Sequence, residues 1–533
     1  MRTVWWGAIV FAMVLAVAGG VGLYSSRQDP TPKQALDPPH FVDDTPTSGI
    51  DHTYDGDYPF AVGGGVAVFD CTGSGKPDLY LAGGANPAAL YRNDTPEGGG
   101  PLTFTRLASP NTDLTDVLGA YPIDMDGDGV TDLVVLRRGQ SVLLRGTGDC
   151  SFEKGMPLEN GENWTTAFSA KWEAGYDAPT LALGHYLQLD ASGQPDSAYR
   201  CADNLLLRPD EAPLTLPPGF CTLGMLFSDW DRSGRRDLRV TNDRQYYVNG
   251  QDQLWRVAPN ETPRLYTSDD GWVSLQIWGM GIASFDLTGR GYPDVFLTSQ
   301  GDNKLQTLAS GPGQPTYRDM ALKRGVNSAQ PFTGGDVRPS TAWHPEFEDV
   351  NNDGFVDLFV SKGNVSAMPE YANRDPSDLF VGQGDGTFKE AADAAGIVSF
   401  DRGRGAALAD FGMDGMLDLV EVNYGQPVRV WRNVGSGDAS RAARQGNWLG
   451  VRLQQPGGNR DAIGAWIEVQ VGKTTLRREL TIGGGHAGGQ LGWTHFGLGA
   501  APQVQVRVQW PDGVVGPWQT VTSNQFLVLN RST

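Results

Sequence analysis

With 533 residues, 71 glycines, 34 prolines and 10% aromatics, the chain is long enough for at least two domains and too rich in turn formers for a helical protein. A formal net charge of -20 excludes the basic surface that nucleic-acid binding requires. Such an acidic excess fits either a solubilising surface or carboxylates gathered around cations.

In chain order, Met1-Arg2 is followed by an uncharged run from Val4 to Leu23 and then Tyr24-Ser-Ser-Arg27. A basic start, an apolar stretch and a small-residue site at Ala16-Val-Ala18 read as a secretion signal over residues 1–24. The run of about 20 residues also suffices to cross a bilayer as an uncleaved anchor, so both readings stand. In either case the remainder is exported, to the periplasm, the cell surface or the medium. Residues 25–40 are Pro-rich and polar, a tether.

From residue 41 to about 440 one nine-residue frame recurs, with an acidic residue first, oxygen side chains at the third and fifth places, Gly sixth and Asp ninth. Its fullest copy is Asp124, Asp126, Asp128 and Asp132. The others are Asp70, Thr72, Ser74, Asp78; Asp229, Asp231, Ser233, Asp237; and Asp286, Thr288, Asp294, with Arg290 fifth. Two more are Asp349, Asn351, Asp353, Asp357 and Asp410, Asp414, Asp418, with Gly412 third. Hard oxygen donors at this spacing converge on one point and suit Ca²⁺. An EF-hand needs a twelfth-position Glu and flanking helices, but Val135 stands at that place in the fullest copy and its flank is strand-like. Each ninth Asp opens an apolar or alternating run such as Asp132-Leu-Val-Val-Leu136, so the unit is strand, metal loop, strand. Six calcium ions would add roughly 12 positive charges to an acidic chain. The plain alternative is that these Asp-rich turns only cap hairpins.

Five of the six frames have a glycine five residues before the first Asp (Gly65, Gly119, Gly224, Gly281, Gly405), and the sixth has His344. A seventh frame is read at Gln188, Asp190, Ser192 and Asp196, with Gln replacing the first Asp, which makes seven units. The segments Tyr317–Val326 and Phe388–Ile397 each close a unit, whereas the last unit, through Val430-Trp431, lacks one. Phe41–Ile50 shares their pattern and is expected to supply that strand, closing a β-propeller into a ring.

These loops and strands resemble the FG-GAP/VCBS repeats of integrin-type seven-bladed propellers. Residues 446–530 resemble the ASPIC/UnbV domain through Gly458-Asn-Arg-Asp461-Ala-Ile-Gly464, Gly483-Gly-Gly-His486, His495-Phe-Gly-Leu-Gly499 and Trp510-Pro-Asp-Gly513. Together they are similar to the exported bacterial relatives of cartilage acidic protein. The glycine-rich turn departs from that family, with His486-Ala-Gly-Gly-Gln490 where an aromatic, Ser/Gln-rich stretch is expected. Independently of the resemblance, WLGVRLQ, AWIEVQVG, TTLRRELTI, QVQVRVQW and FLVLN read as strands of a small β-sandwich. It either caps the propeller or binds a partner.

Cys201 and Cys221 bracket an irregular insert and are expected to pair, which leaves Cys71 with Cys150; three pairings are formally open. Gly73-Ser-Gly75-Lys76 lacks the leading Gly and the helix of a phosphate loop, and Gly483–Gly488 matches G-x-G-x-x-G between strands. Neither carries nucleotide chemistry. Among the histidines only His344 falls on an inner strand, and a packed ring beside Trp343 is expected. Two functions follow: an exported, Ca²⁺-dependent binding, adhesion or scaffold protein with a protein or glycan ligand, or an enzyme or assembly factor using the propeller channel, by analogy only. No triad, metal-hydrolase or nucleotide motif supports the second.

Overall fold

The computed structural model describes residues 34–531, except 159–160, 162, 244–248, 329–330, 332–334 and 367. The apolar run at 4–23 and most of the tether lie outside these, and no helix among the described residues is long and apolar enough to cross a membrane. Residues 35–533 form one unit.

Each repeat folds into a four-stranded antiparallel meander, because the apolar runs are too short for helices and are punctuated by Gly-containing turns. Seven such sheets follow one another. Their first strands are Val66–Phe69, Val117–Ile123, Thr165–Lys171, Thr222–Ser228, Gly279–Phe285, Ala342–Glu348 and Gly403–Ala409. Each of these strands packs on the next, and the last packs on the first, so the inner strands form a closed ring. They are buried almost throughout.

Closure is made by His40–Asp43, which pairs antiparallel with Arg429–Gly435 in the register Phe41 to Asn433, Val42 to Arg432 and Asp43 to Trp431. The Arg432 guanidinium donates to Asp44 at 2.8 Å, a buried pair that locks the two ends of the ring together. Segments Tyr317–Asp319 and Phe388–Glu390 occupy the same outer place in their sheets, each followed by one helical turn ending in left-handed Gly325 or Gly396.

Three of the glycines before the frames share one cause. Inner strands crowd at the axis, and a Cβ on Gly224, Gly281 or Gly405 would stand 2.5–2.6 Å from a carbonyl oxygen of an adjoining segment. Cys71–Cys150 and Cys201–Cys221 are both disulfide-bonded, and no free cysteine remains. The first closes a span of 79 residues. Cross-linking such a loop removes about 4.5 kcal/mol of chain entropy from the unfolded state.

The third sheet corrects one sequence expectation. Its loop between first and second strands is Trp172–Pro179, with Trp172 and Thr180 at the places held elsewhere by the first and ninth Asp. The Gln188–Asp196 frame instead lies between the second and third strands, folded on itself by Asp190 accepting from Ser192 and Gln194 and by Asp196 pairing with Arg200. A buried cluster of Lys171, Glu173 and Arg208 replaces the acidic loop there.

Beyond the ring, Asn447–Gln454 pairs with Thr494–Gly499 and Gln525–Asn530, and Trp466–Val471 lies between Thr474–Glu479 and Gln503–Gln509, with Gln519–Thr522 outside. Leu449, Val451, Ile467, Val469, Val504 and Val506 from the two sheets share one core, a small sandwich.

Candidate metal loops and the terminal domain that covers them

The six acidic frames fold alike. The sixth residue of each (Gly75, Gly129, Gly234, Gly291, Gly354, Gly415) has φ between +83° and +88°, where side chains are disfavoured. Its N–H donates to the first Asp at 2.7–3.0 Å. The ninth Asp is a clamp. Asp78 accepts from Cys71 N and Asn93 N, Asp132 from Met125 N and Gly146 N, Asp357 from Val350 N and Gly382 N, and Asp418 from Phe411 N and Asn433 N. In these four frames it thereby ties the loop to the third strand of its own sheet or, at Gly146, to the residues just beyond it.

The frames differ in what balances their charge. Carboxylate oxygens of Asp124, Asp126 and Asp128 lie within 4.8 Å of one another, the spread expected of donors held about 2.4 Å from one Ca²⁺. Arg145, on the neighbouring turn, reaches Asp126. At Asp70, with Thr72 and Ser74 alongside, the nearest cation is Arg452 at 3.7 Å.

In two frames an arginine of the loop itself takes the place of a cation. Arg235 spans Asp237, at 2.9 and 3.0 Å, and Asp231, at 3.7 Å, beside Ser233 and Asp229. Arg290 donates to Thr288 at 2.9 Å and lies 3.9 Å from Asp294, while Arg477 lies 3.3 Å from Asp286.

The frames at Asp349 and Asp410 carry no such arginine. Asp349, Asn351, Asp353 and Asp357 are all buried. Burial, then the charges of Asp349 and Asp353, hold Asp357 well above the usual carboxylate range. Among the described residues no lysine or arginine forms an ion pair with Asp410, Asp414 or Asp418. Burial and the charge of Asp414 push Asp410 up to about 8, and burial, then the charges of Asp414 and Asp410, hold Asp418 well above the usual carboxylate range. Neighbouring buried carboxylates of this kind are stable only when protonated or when a cation joins them. The oxygen donors fit a hard divalent ion.

Every frame also meets the terminal sandwich. Trp493 Nε1 donates to Gly75 O at 2.8 Å, and Arg460 donates to Asp128 O at 3.2 Å. Asp229 N donates to Glu479 at 3.0 Å, and Arg477 reaches Asp286. His495 Nε2 lies 2.6 Å from Asn352 Oδ1, and Trp448 covers Gly415, leaving no room for a Cβ there. The loops thus share one face of the ring, and the sandwich sits on it.

From that sandwich a glycine-rich turn, residues 480–489, enters the ring. Ile482 O accepts from Ala170 N, and Gly484 N donates to Met225 O. Gly485 exchanges hydrogen bonds with Ile282, and Val68 N donates to Gly489 O. Ala487 O passes so close to Gly65 and Gly119 that a Cβ on either would lie 1.7–1.8 Å away. His486 N donates to His344 Nδ1 at 3.2 Å, and His344 Nε2 faces Glu346 at 3.3 Å. His344 is buried, as expected, and the ring of His486 lies tilted against Trp343 with centroids 4.9 Å apart. His344 therefore anchors the plug, which explains why a glycine is dispensable at this one place.

His495 gives this docking a pH signature. Burial, then the charge of Arg478, hold it down to about 3, against an ordinary 6.5. The native ring is neutral while the unfolded one protonates first, so its stabilisation is complete above pH 6.5 and is lost as pH falls toward 3. Replacing His495 with Gln removes the titration. In urea unfolding, the variant should gain on the parent by about 1.4 kcal/mol per pH unit between about pH 6 and about pH 4. A difference independent of pH would contradict this.

Sequence reasoning missed Arg145, Arg452, Arg477 and Glu479, which look like ordinary strand charges. Arg235 was visible inside its frame.

Comparison with known proteins agrees with this architecture. The description "ASPIC and UnbV" matches residues 455–533, and "FG-GAP-like repeat" matches residues 70–135 and 349–421. Cartilage acidic protein 1 of Mus musculus is 29% identical over 227 residues, 39% of this chain and 32% of that protein. The Xenopus tropicalis protein of the same name is 24% identical over 281 residues, 48% of this chain and 38% of that one. The matched part thus spans about a third of the length of these relatives. Among solved structures, the fucose-specific lectin from Aleuria aurantia aligns with a TM-score of 0.33 at 12% identity, covering 61% of this chain and 94% of that one. The chain carries FG-GAP-like repeats and an ASPIC/UnbV domain, and it is homologous to cartilage acidic protein 1.

Proposed function

We propose that this chain of FG-GAP-like repeats and an ASPIC/UnbV domain is an exported, calcium-binding propeller that serves as a binding, adhesion or scaffold protein at the cell envelope. The calcium reading rests on the frame at Asp124, whose three carboxylates lie within 4.8 Å of one another, together with the frames at Asp349 and Asp410, where buried acids raise one another without an arginine of the loop. The frame at Asp124 fits calcium if Arg145 swings aside. Those at Asp229 and Asp286 already hold a guanidinium and are assigned no ion.

Export is supported by the two disulfides, which persist in oxidising compartments. A binding role is supported by the plugged channel, because it leaves the outer faces and the sandwich, rather than an axial pore, to meet a protein or glycan.

Isothermal titration with calcium tests the assignment. Arg290→Asp restores an oxygen donor at the fifth place and should raise the stoichiometry by one ion per chain, while Asp410→Asn with Asp414→Asn should lower it by one. A stoichiometry that neither variant moves contradicts the reading. Partner binding is tested by capture from envelope fractions: a partner retained in calcium and released by EGTA supports it, and no calcium-dependent retention counts against it.

A further inference from the structure

Between the plug, the underside of the sandwich and the inner strands, a cavity of about 200 Å³ remains. Part of its wall is apolar, with Leu226 and Ile282 on the propeller side and Trp493 on the sandwich. Its polar wall holds four acids, Glu346, Glu348, Asp461 and Glu479, against two arginines, Arg452 and Arg478, an excess of two negative charges.

Three of the four acids are engaged. Glu346 accepts from Gln490 and from Leu408 N. Glu348 pairs with Arg478 at 2.6 Å, and Glu479 accepts from Ser228 and Asp229 N. Asp461 differs: it lines the cavity, yet its carboxylate makes no hydrogen bond or ion pair among the described residues. Arg452, on the same wall, turns to Asp70 instead.

Asp461 is half-buried, and an acid without a partner on an acid-rich cavity wall is where a cationic ligand can settle. A metal is a poor candidate, since calcium takes six to eight oxygens and this wall offers one free carboxylate. A cation with an apolar body matches what is present.

We infer that this cavity binds a small organic cation whose ammonium group pairs with the Asp461 carboxylate while its alkyl part lies against Leu226, Ile282 and Trp493. The site borders the metal loops through Arg452, Trp493 and Glu479, so it is tested with those loops saturated. The indole of Trp493 adds an aromatic face that favours a positive charge.

Calorimetric titration of the full chain in saturating calcium, with butylamine and with 1-butanol as its uncharged counterpart, tests this. The amine should bind at least about tenfold more tightly than the alcohol, and Asp461→Asn should remove about that factor. Asp438→Asn, on an exposed turn, should change nothing. Leu226→Phe, which fills the cavity from the propeller side, should also abolish amine binding, so the inference stays open to refutation even if the Asp461 variant does not fold. Equal binding of amine and alcohol overturns the proposal, as does amine binding unchanged in either cavity variant. Displacement of the amine by excess calcium would mark a metal site and overturn it too.

Discussion

Chelation of calcium with EGTA should lower the melting temperature of the chain by about 5 °C. An ion at a hundredfold its dissociation constant stabilises the native state by about 2.7 kcal/mol per site. The frames at Asp349 and Asp410 alone would then contribute about 5 kcal/mol, and each kcal/mol moves the midpoint of a unit of about 500 residues by about 1 °C. Asp410→Asn with Asp414→Asn should remove roughly half of the response. These substitutions also take away the burial cost and the repulsion from Asp414 that raise Asp410, so in EGTA the variant should melt no lower than the parent. A melting curve indifferent to EGTA would contradict the calcium assignment outright.

Gly119→Val should evict the plug. A Cβ at this place would lie 1.7 Å from Ala487 O, with backbone on both sides, so the strand and the turn cannot both keep their positions. Overpacking of this kind costs about 1–3 kcal/mol, and the hydrogen bonds of the turn are lost in addition. Differential scanning calorimetry should show the single transition of the parent split, with the sandwich melting apart from the ring. The segment joining them contains exposed Arg441 and Arg444, so trypsin should cut there faster in the variant. Gly384→Ala, whose added Cβ meets only Phe355 at 3.6 Å, is the control. Unchanged melting and cleavage would mean that the turn does not hold the two parts together.

Much of this arrangement could be read from local pattern, because the physics that creates it is local. The left-handed sixth residue demands glycine, the ninth Asp opens a strand, and both rules act within nine residues. Ring closure was legible because Phe41–Ile50 repeats the outer-strand pattern that the last unit lacks. The third sheet misled for the same reason: Asp190 and Asp196 surround a Gly turn that obeys local rules, whereas Trp172–Pro179 has lost its acids and keeps only its place in the topology. What balances each loop was not legible. Arg290 and Arg235 lie within their frames, but whether a guanidinium folds inward depends on the packing around it. Arg452 and Arg477 come from a domain docked far along the chain, so nothing near Asp70 or Asp286 announces them. The glycines before each frame signalled close approach, yet for Gly65 and Gly119 the neighbour is a turn more than 350 residues away.

The central claim is that cations in the acidic loops order the face on which the terminal sandwich rests and into which its turn is keyed. Amide hydrogen exchange with calcium and with EGTA tests it most directly. Loss of protection in EGTA at Gly354, Gly415 and the plug amides of Gly484 and Gly485, with the Asp286 loop unchanged, is the predicted result. Equal protection at all four glycines under both conditions would contradict it.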